Sequence, residues 1–402
     1  MNTNSIKSRH STLTQNSSRR DGRTHLVVIQ PSSFCNIDCR YCYVPGRDNR
    51  AVIKPETLEK ILLRVFTDEQ VANDFRLVWH NGEPLALGIE FYRSANSIIS
   101  RVNRAGKKFR QCIQTNGTML NQEWIELFRE YDIAASVSID GPQEIHDLNR
   151  VTRSGRGTHQ ATMQGIKLLR ENHVPLVGLC VVTNDSLAHG RAIMQFFIEE
   201  GFVSLGLIIE EPWGGNPQTS FSCQSSAEVV EEQFRVFVSD VVETWHPHRS
   251  QIEIREFQDI LQAMRKFKLD QNAFAQQEDA TPLTVLSFNR DGGITTFSPQ
   301  MIAGTDDCQD RFIVANIHDL LDLKNIADVP KHQQIANEVA IGIECCRNSC
   351  GYFNLCGGGA PASKFYEHGN FACSETRECR FSKQLIVDVL LDTVPSLGRK
   401  GC

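Results

Sequence analysis

From residue 25 onward the chain alternates apolar, β-branched runs with amphipathic stretches, and that rhythm restricts it to an α/β architecture with parallel strands. The runs lie at 25–31, 76–80, 109–115, 134–139, 174–183 and 203–209. Between them come helical patterns such as 55–66, where Pro55 suits a first helical turn, and 158–171, with apolar residues at helical spacing. Six successive βα units predict a barrel-like sheet with helices outside. A full barrel has eight, so six predict a partial (β/α)6 barrel. An open doubly wound sheet has the same periodicity and stays as the alternative.

The rhythm breaks after Glu210. Residues 211–226 are rich in Gly, Pro and Ser, and helical stretches follow at 227–245 and 250–268. Near Thr284 a hairpin begins around Asp291-Gly292-Gly293, and a cysteine-rich segment closes the fold. The expected organisation is a disordered polar tail at 1–24, the barrel at 25–210 and a bridging loop with helices at 211–282. A cysteine-rich unit at 283–386 and a C-terminal tail at 387–402 complete it.

Composition narrows the function. The 402 residues are 41% hydrophobic, enough for a sizeable core, and the net charge of −6 is too mild to suggest a nucleic-acid or membrane partner. No apolar run approaches the roughly 18 residues of a membrane span, and the first 24 residues hold no signal-peptide stretch, so a cytoplasmic protein is expected. Fourteen cysteines in such a chain point to metal rather than disulfides. Cys35, Cys39 and Cys42 form one group; Cys345, Cys346, Cys350, Cys356, Cys373 and Cys379 form another. Cys112, Cys180, Cys223, Cys308 and Cys402 stand apart and read as ordinary thiols.

The spacing Cys35-x3-Cys39-x2-Cys42 directly follows the first strand, at the mouth where barrel enzymes place their chemistry. Three thiolates leave one coordination position open, as a catalytic metal requires; a zinc site completed by His or Asp is the alternative. With Tyr41 before its last cysteine, the motif resembles the radical S-adenosylmethionine (SAM) superfamily. The resemblance implies a [4Fe-4S] cluster on these cysteines, with SAM on its fourth iron and reductive cleavage to a 5′-deoxyadenosyl radical. Further segments follow at strand ends. His80-Asn81-Gly82-Glu83 resembles the family's Gly-Gly-Glu motif, with Asn81 in place of the first Gly. Thr115-Asn116 and Ser138-Ile139-Asp140 end the next two strands, and Arg150 lies beyond. By resemblance Tyr41, Gly82, Glu83, Thr115, Asn116, Ser138, Asp140 and Arg150 bind the cofactor, with Ser138 at the ribose and Arg150 at the carboxylate.

The second group, Cys346-x3-Cys350-x5-Cys356-Gly-Gly-Gly and then Cys379, resembles the SPASM extension of radical SAM peptide-modifying enzymes. Four thiolates also suit a structural zinc. The usual cysteine near Phe297-Ser298 is missing, and Ala360 stands where another is expected, so one auxiliary [4Fe-4S] cluster is expected rather than two. Cys345 and Cys373 compete as ligands, and a further cluster on Cys308, Cys345 and Cys373 is the alternative.

The cysteine motifs and Arg150-Val-Thr-Arg-Ser-Gly-Arg-Gly-Thr158 are similar to the GRRM/FxsB/XYE maturases over about 25–385. That resemblance implies a cyclophane synthase joining an aromatic ring to a Cβ in a ribosomal precursor peptide. Such a bond requires the ring to lose an electron, for which a closed four-thiolate auxiliary cluster is the expected acceptor, and an external one-electron reductant is expected to start the first turnover. Asp306 and Asp307 are candidate bases for the released proton; a solvated acidic loop is their plain reading. A sulfatase-type or thioether-forming maturase is the neighbouring alternative, and a non-catalytic zinc module the distant one.

Overall fold

The computed structural model describes residues 22–223, 226–302 and 311–393; Asp306, Asp307, Cys308, Cys402 and most of both expected tails lie outside the described residues. Six strands, β1 (Thr24–Gln30), β2 (Val71–Trp79), β3 (Lys108–Thr115), β4 (Ile133–Ser138), β5 (Val177–Val182) and β6 (Ser204–Ile209), lie side by side in chain order, each parallel to the next. That unbroken order excludes the doubly wound alternative, in which the order reverses at a switch point. β7 (Glu253–Ile254) adds to β6 at one edge. On the other side β8 (Val285–Asn289) runs parallel to β1, and β9 (Gly293–Thr296) and β10 (Ala315–Asn316) follow antiparallel. The sheet has two free edges, each a two-residue strand, so the barrel is open.

Helices fill the crossovers: α1 (Pro55–Thr67), α2 (Ile89–Val102), α3 (Gln122–Glu130), α4 (Gln143–Asn149), α5 (His159–Glu171) and α6 (Gly190–Glu199). Beyond the barrel come α7 (Ala227–Trp245), α8 (Arg255–Leu269), α9 (Pro330–Ser349), α10 (Pro361–His368) and α11 (Ile386–Thr393). Period-two alternation sorts each strand. On β2, Phe75, Leu77 and Trp79 are buried toward the helices, with Trp79 edge-on to Phe91 and Tyr92 of α2 at 5.7 and 5.5 Å. Arg76 and Val78 face the barrel interior instead. The same alternation puts Cys180 on the helix side, fully buried, and Cys112 on the inner face, half-buried.

Three boundaries differ from expectation. β2 begins at Val71, because polar Asn73 and Asp74 interrupt an otherwise strand-like run. α8 starts at Arg255, since Glu253 and Ile254 extend the sheet beside β6. The expected hairpin forms, but its first strand continues the barrel sheet, from Leu26↔Val285 to Gln30↔Asn289.

Close packing brings α5 onto the loop after β3. Thr162 Oγ1 donates to the Asn116 carbonyl at 3.1 Å, and a Cβ on Gly165 would run into the Gly117 carbonyl oxygen. Helix propensity alone would make Gly165→Ala stabilising by about 1 kcal/mol. The contact predicts the opposite sign, a loss of roughly 1–3 kcal/mol from overpacking against backbone. Urea midpoints of the two proteins decide it, and a stabilised variant contradicts the contact.

Candidate active site and metal centres

The loop after β1 buries Cys35 and Cys39 around Ile37, with Tyr41 and Cys42 packed against them. Each thiol feels the others: Cys42 repels both Cys35 and Cys39, and Cys35 repels Cys39, so the three share one neighbourhood. Burial, chiefly, pushes Cys35 up to about 11 and Cys39 up to about 12. Such thiols hold their protons until a metal displaces them. The loop is pinned from outside by Arg47, which donates to the Cys39 carbonyl at 2.8 Å and pairs with Asp38, and by Arg153, which donates to the Cys35 carbonyl at 2.9 Å.

Two strand-end clamps hold this loop against the barrel. The first is Glu83. Its carboxylate accepts from Leu85 N at 2.9 Å, Thr115 Oγ1 at 2.7 Å and Asn116 N at 2.7 Å. Burial nevertheless pushes its carboxyl up to about 7. Glu83 N donates to the Phe34 carbonyl at 2.7 Å, and Gly82 is obligatory there: its φ is +58° and a Cβ would overlap the Phe34 carbonyl. Asn81 has φ +82°, a left-handed conformation that Asn tolerates, so it can serve where the motif has Gly. Asn116 Nδ2 points to Cys35 Sγ at 3.8 Å and to Asn36 Oδ1 at 2.8 Å.

The second clamp is Asp140, past the end of β4. Its carboxylate takes Arg150 Nε at 3.0 Å, Tyr41 OH at 2.5 Å and Val181 N at 3.0 Å. Arg150 Nη1 lies 3.9 Å from Cys39 Sγ. Burial, aided by Arg150, drives His146 down to about 2, so the ring stays neutral. Its Nδ1 accepts from Asp140 N at 3.3 Å, which leaves Nε2–H for Thr158 Oγ1 at 3.0 Å. Ser138, half-buried, receives Gln114 Nε2 at 2.8 Å. All eight residues singled out for the cofactor thus sit at the ends of β2, β3 and β4 or on the two loops packed against them.

The C-terminal cysteines meet elsewhere. Cys346 near the end of α9, Cys350, Cys356 and Cys379 all line one cavity of about 70 Å³, together with Gly358, Gly359 and Lys383. Cys345 and Cys373 are absent from its lining. The three glycines after Cys356 have φ of +78°, +115° and +75°, and Gly357 packs where a Cβ would strike the Ala275 carbonyl. Several donors reach sulfur: Thr376 N to Cys379 at 3.2 Å, Lys364 Nζ to Cys346 at 3.3 Å, and the backbone amides of Gly358 and Gly359 to Cys356.

Between the two cysteine sites runs the loop after β6. Trp213 packs edge-on against Tyr43 at 5.5 Å, and Gly215 N donates to the Tyr43 carbonyl at 2.7 Å, one residue past Cys42. Glu210 is consumed in folding this loop, accepting from Asn216 Nδ2 at 3.1 Å and Ser220 N at 3.0 Å. Its neighbour Glu211 is buried, and burial followed by repulsion from Glu378 raises its carboxyl well above the usual range. Glu378 directly precedes Cys379 and is itself raised by burial. Sequence reasoning passed over Glu211. The one available signal was an acidic pair at a strand's C-terminal end, where its position is shared with the other site residues.

Among the described residues no three Cys, His, Asp or Glu side chains close on a single metal ion, so the fit rests on donor chemistry. Three neighbouring buried or half-buried thiols suit an iron–sulfur cluster that keeps a position for a ligand, and Asn81 Oδ1 is a buried acceptor with no partner among the described residues. Four thiols around one cavity suit a closed cluster.

The sequence profile of the radical SAM superfamily matches residues 29–197. An uncharacterised Synechocystis protein, sll1766, is 34% identical over 387 residues, covering 94% of each chain. A cysteine-type anaerobic sulfatase-maturating enzyme of Clostridium perfringens is 25% identical over 83% of this chain and 88% of its own. A serine-type enzyme of Klebsiella aerogenes is 34% identical over 44% of each. Among solved structures, anSMEcpe with bound AdoMet and the Cp18Cys peptide superposes with a TM-score of 0.76 at 21% identity, covering 92% of this chain and 98% of that one. Streptococcus suis SuiB bound to precursor peptide SuiA gives 0.60 at 15% identity, covering 89% and 76%. No described helix is long and apolar enough to cross a membrane.

Glu83 yields a pH test. Between its ordinary value of 4.5 and about 7, the folded metal-free chain keeps a proton that the unfolded chain releases, so stability falls as pH rises through that window. The loss is on the order of 3 kcal/mol. Glu83→Gln lowers stability overall, because its amide cannot accept from both sides, but it flattens this slope. Urea midpoints from pH 4.5 to 7 test it; parallel wild-type and variant profiles contradict the burial of that carboxyl.

Proposed function

This chain belongs to the radical SAM superfamily, and from that premise we propose that it matures a ribosomally made peptide by joining an aromatic ring carbon to a nearby Cβ. The observation that carries the proposal is the loop 211–216, which packs on the three-thiol loop through Trp213 and Gly215 at Tyr43 and carries a buried carboxyl, Glu211, that feels Glu378 beside Cys379 of the four-thiol cavity. A crosslink of this kind needs those three things: a hydrogen-abstracting radical, an electron acceptor and a proton acceptor. A peptide substrate is supported by relatives that mature sulfatases and by SuiB, whose structure holds its precursor peptide. A single closed site is supported where further ligands would be needed: Ser298 Oγ donates to Asp279 at 3.1 Å, and Ala360 is the N-cap of α10. Oxidation of the sulfatase-maturating type is the second reading, favoured by the extended match to the Clostridium enzyme.

When bound, a reduced [4Fe-4S] cluster with SAM on Cys35, Cys39 and Cys42 supplies the 5′-deoxyadenosyl radical, and a cluster on Cys346, Cys350, Cys356 and Cys379 supplies a one-electron acceptor. The chain's own residues do the rest. Asn81 and Glu83 offer acceptors for the SAM amino group, Arg150 a cation for its carboxylate and Ser138 a hydroxyl for the ribose. The substrate loses one hydrogen atom from Cβ; the carbon–carbon bond forms; the ring then releases one electron and one proton. Glu211, the buried carboxyl on the loop after β6, receives the proton; burial and the neighbouring Glu378 raise its proton affinity.

With SAM, dithionite and a precursor peptide carrying aromatic residues, the product is expected two hydrogens lighter per crosslink. Cys35→Ala, Cys39→Ala or Cys42→Ala abolishes 5′-deoxyadenosine, whereas Glu211→Gln leaves it within about twofold and lowers crosslinked peptide by about tenfold or more. Liquid chromatography and mass spectrometry report both. A product carrying an aldehyde, or a Glu211→Gln enzyme that crosslinks normally, overturns the corresponding part.

A further inference from the structure

Lys364 has no role in the chemistry above, yet it is only 3% exposed. It sits on α10 and reaches back to α9, where Nζ donates to the Gly342 carbonyl at 2.8 Å and to Cys346 Sγ at 3.3 Å. Gly342 permits the approach, because a Cβ there would overlap the Phe371 carbonyl and lie 3.1 Å from Nζ. Among the described residues no carboxylate forms an ion pair with Lys364. Lys383, which lines the four-cysteine cavity, is offset by Glu378, Cys356, Asp259 and Glu256. A buried ammonium without a counter-charge is costly. Among the described residues the negative charge nearest to Lys364 is therefore the sulfur of Cys346 itself once that thiol binds metal.

We propose that Lys364 is a positioning residue that raises the reduction potential of the cluster held by Cys346, Cys350, Cys356 and Cys379. A fixed positive charge and an N–H donor on a ligand sulfur stabilise the form carrying one more electron. The neighbouring donors differ in kind. Thr376 N on Cys379 is neutral, and the amides of Gln277 and Gln384 lie 4.0 Å from Cys356 and Cys379. Among the described residues, Lys364 is the one cation in hydrogen-bond contact with any of these four sulfurs, whereas Lys383 acts on Cys356 through its charge. Its effect favours a cluster that accepts an electron from substrate over one that donates to SAM. The inference rests on the proposal that these four cysteines hold a cluster.

The test is an anaerobic redox titration of the reconstituted enzyme, followed by electron paramagnetic resonance, for wild type and Lys364→Met. The auxiliary midpoint is expected to fall by about 59 mV or more, a tenfold or larger loss in the equilibrium constant for one-electron reduction. The SAM-binding cluster, identified by its response to added SAM, keeps its midpoint. An unchanged auxiliary midpoint in Lys364→Met overturns the role of Lys364 and leaves the ligand assignment standing. Should the Met variant lose its auxiliary iron, Lys364→Arg and Lys364→Gln decide, because both keep an N–H donor and differ in charge. Arg above Gln supports the proposal, and equal midpoints overturn it. A wild-type enzyme with only one cluster overturns the ligand assignment, and this inference with it.

Discussion

The buried pair of Asp140 and Arg150 ties the candidate site into one rigid object. Its side chains are 3% and 7% exposed, so neither charge has water to fall back on. Asp140 is the hub of the contacts. Asp140 takes Tyr41 from the cysteine loop and the Val181 amide from β5, and Arg150 approaches Cys39. Two strands, the cysteine loop and the segment after α4 therefore converge on one carboxylate. Deleting either partner leaves an uncompensated buried charge, at a cost of roughly 3–5 kcal/mol. The cysteine loop has few apolar contacts of its own, so its shape comes from these polar anchors and from Glu83.

That dependence explains how much was legible in advance. The six strands showed because their helix-facing residues are apolar at period two, as in Phe75, Leu77 and Trp79. The pairing of β8 with β1 did not, because Val285–Asn289 is short and nothing in its composition says which edge it joins. Strand-end positions such as Glu83, Asn116 and Asp140 were legible because chemistry in a parallel barrel gathers at the C-terminal ends. What a sequence conceals is the burial of a charge. Glu211 looks like any acid in a Gly/Pro-rich loop, and Lys364 like any lysine on an amphipathic helix. Only packing shows the first buried against Glu378 and the second resting on a sulfur.

The same packing assigns a physical role to the irregular half of the chain. Residues 211–216 touch the cysteine loop through Tyr43, while Gln277 donates to the Cys356 carbonyl at 2.7 Å and Glu278 pairs with Arg76 of β2. The C-terminal cysteine cavity is thereby fastened to the inner face of the barrel rather than hung beside it. A site fastened in this way keeps a fixed distance to the barrel mouth, which one-electron exchange requires.

The central claim is that one chain holds two iron–sulfur sites of different kind, one open to SAM and one closed. The most direct measurement is iron content with electron paramagnetic resonance on anaerobically reconstituted protein, comparing wild type with a Cys35→Ala/Cys39→Ala/Cys42→Ala variant. About eight irons should fall to about four, and the signal that responds to SAM should vanish while the other persists unchanged. A variant that keeps all its iron, or loses all of it while remaining folded by circular dichroism, would contradict two independent sites.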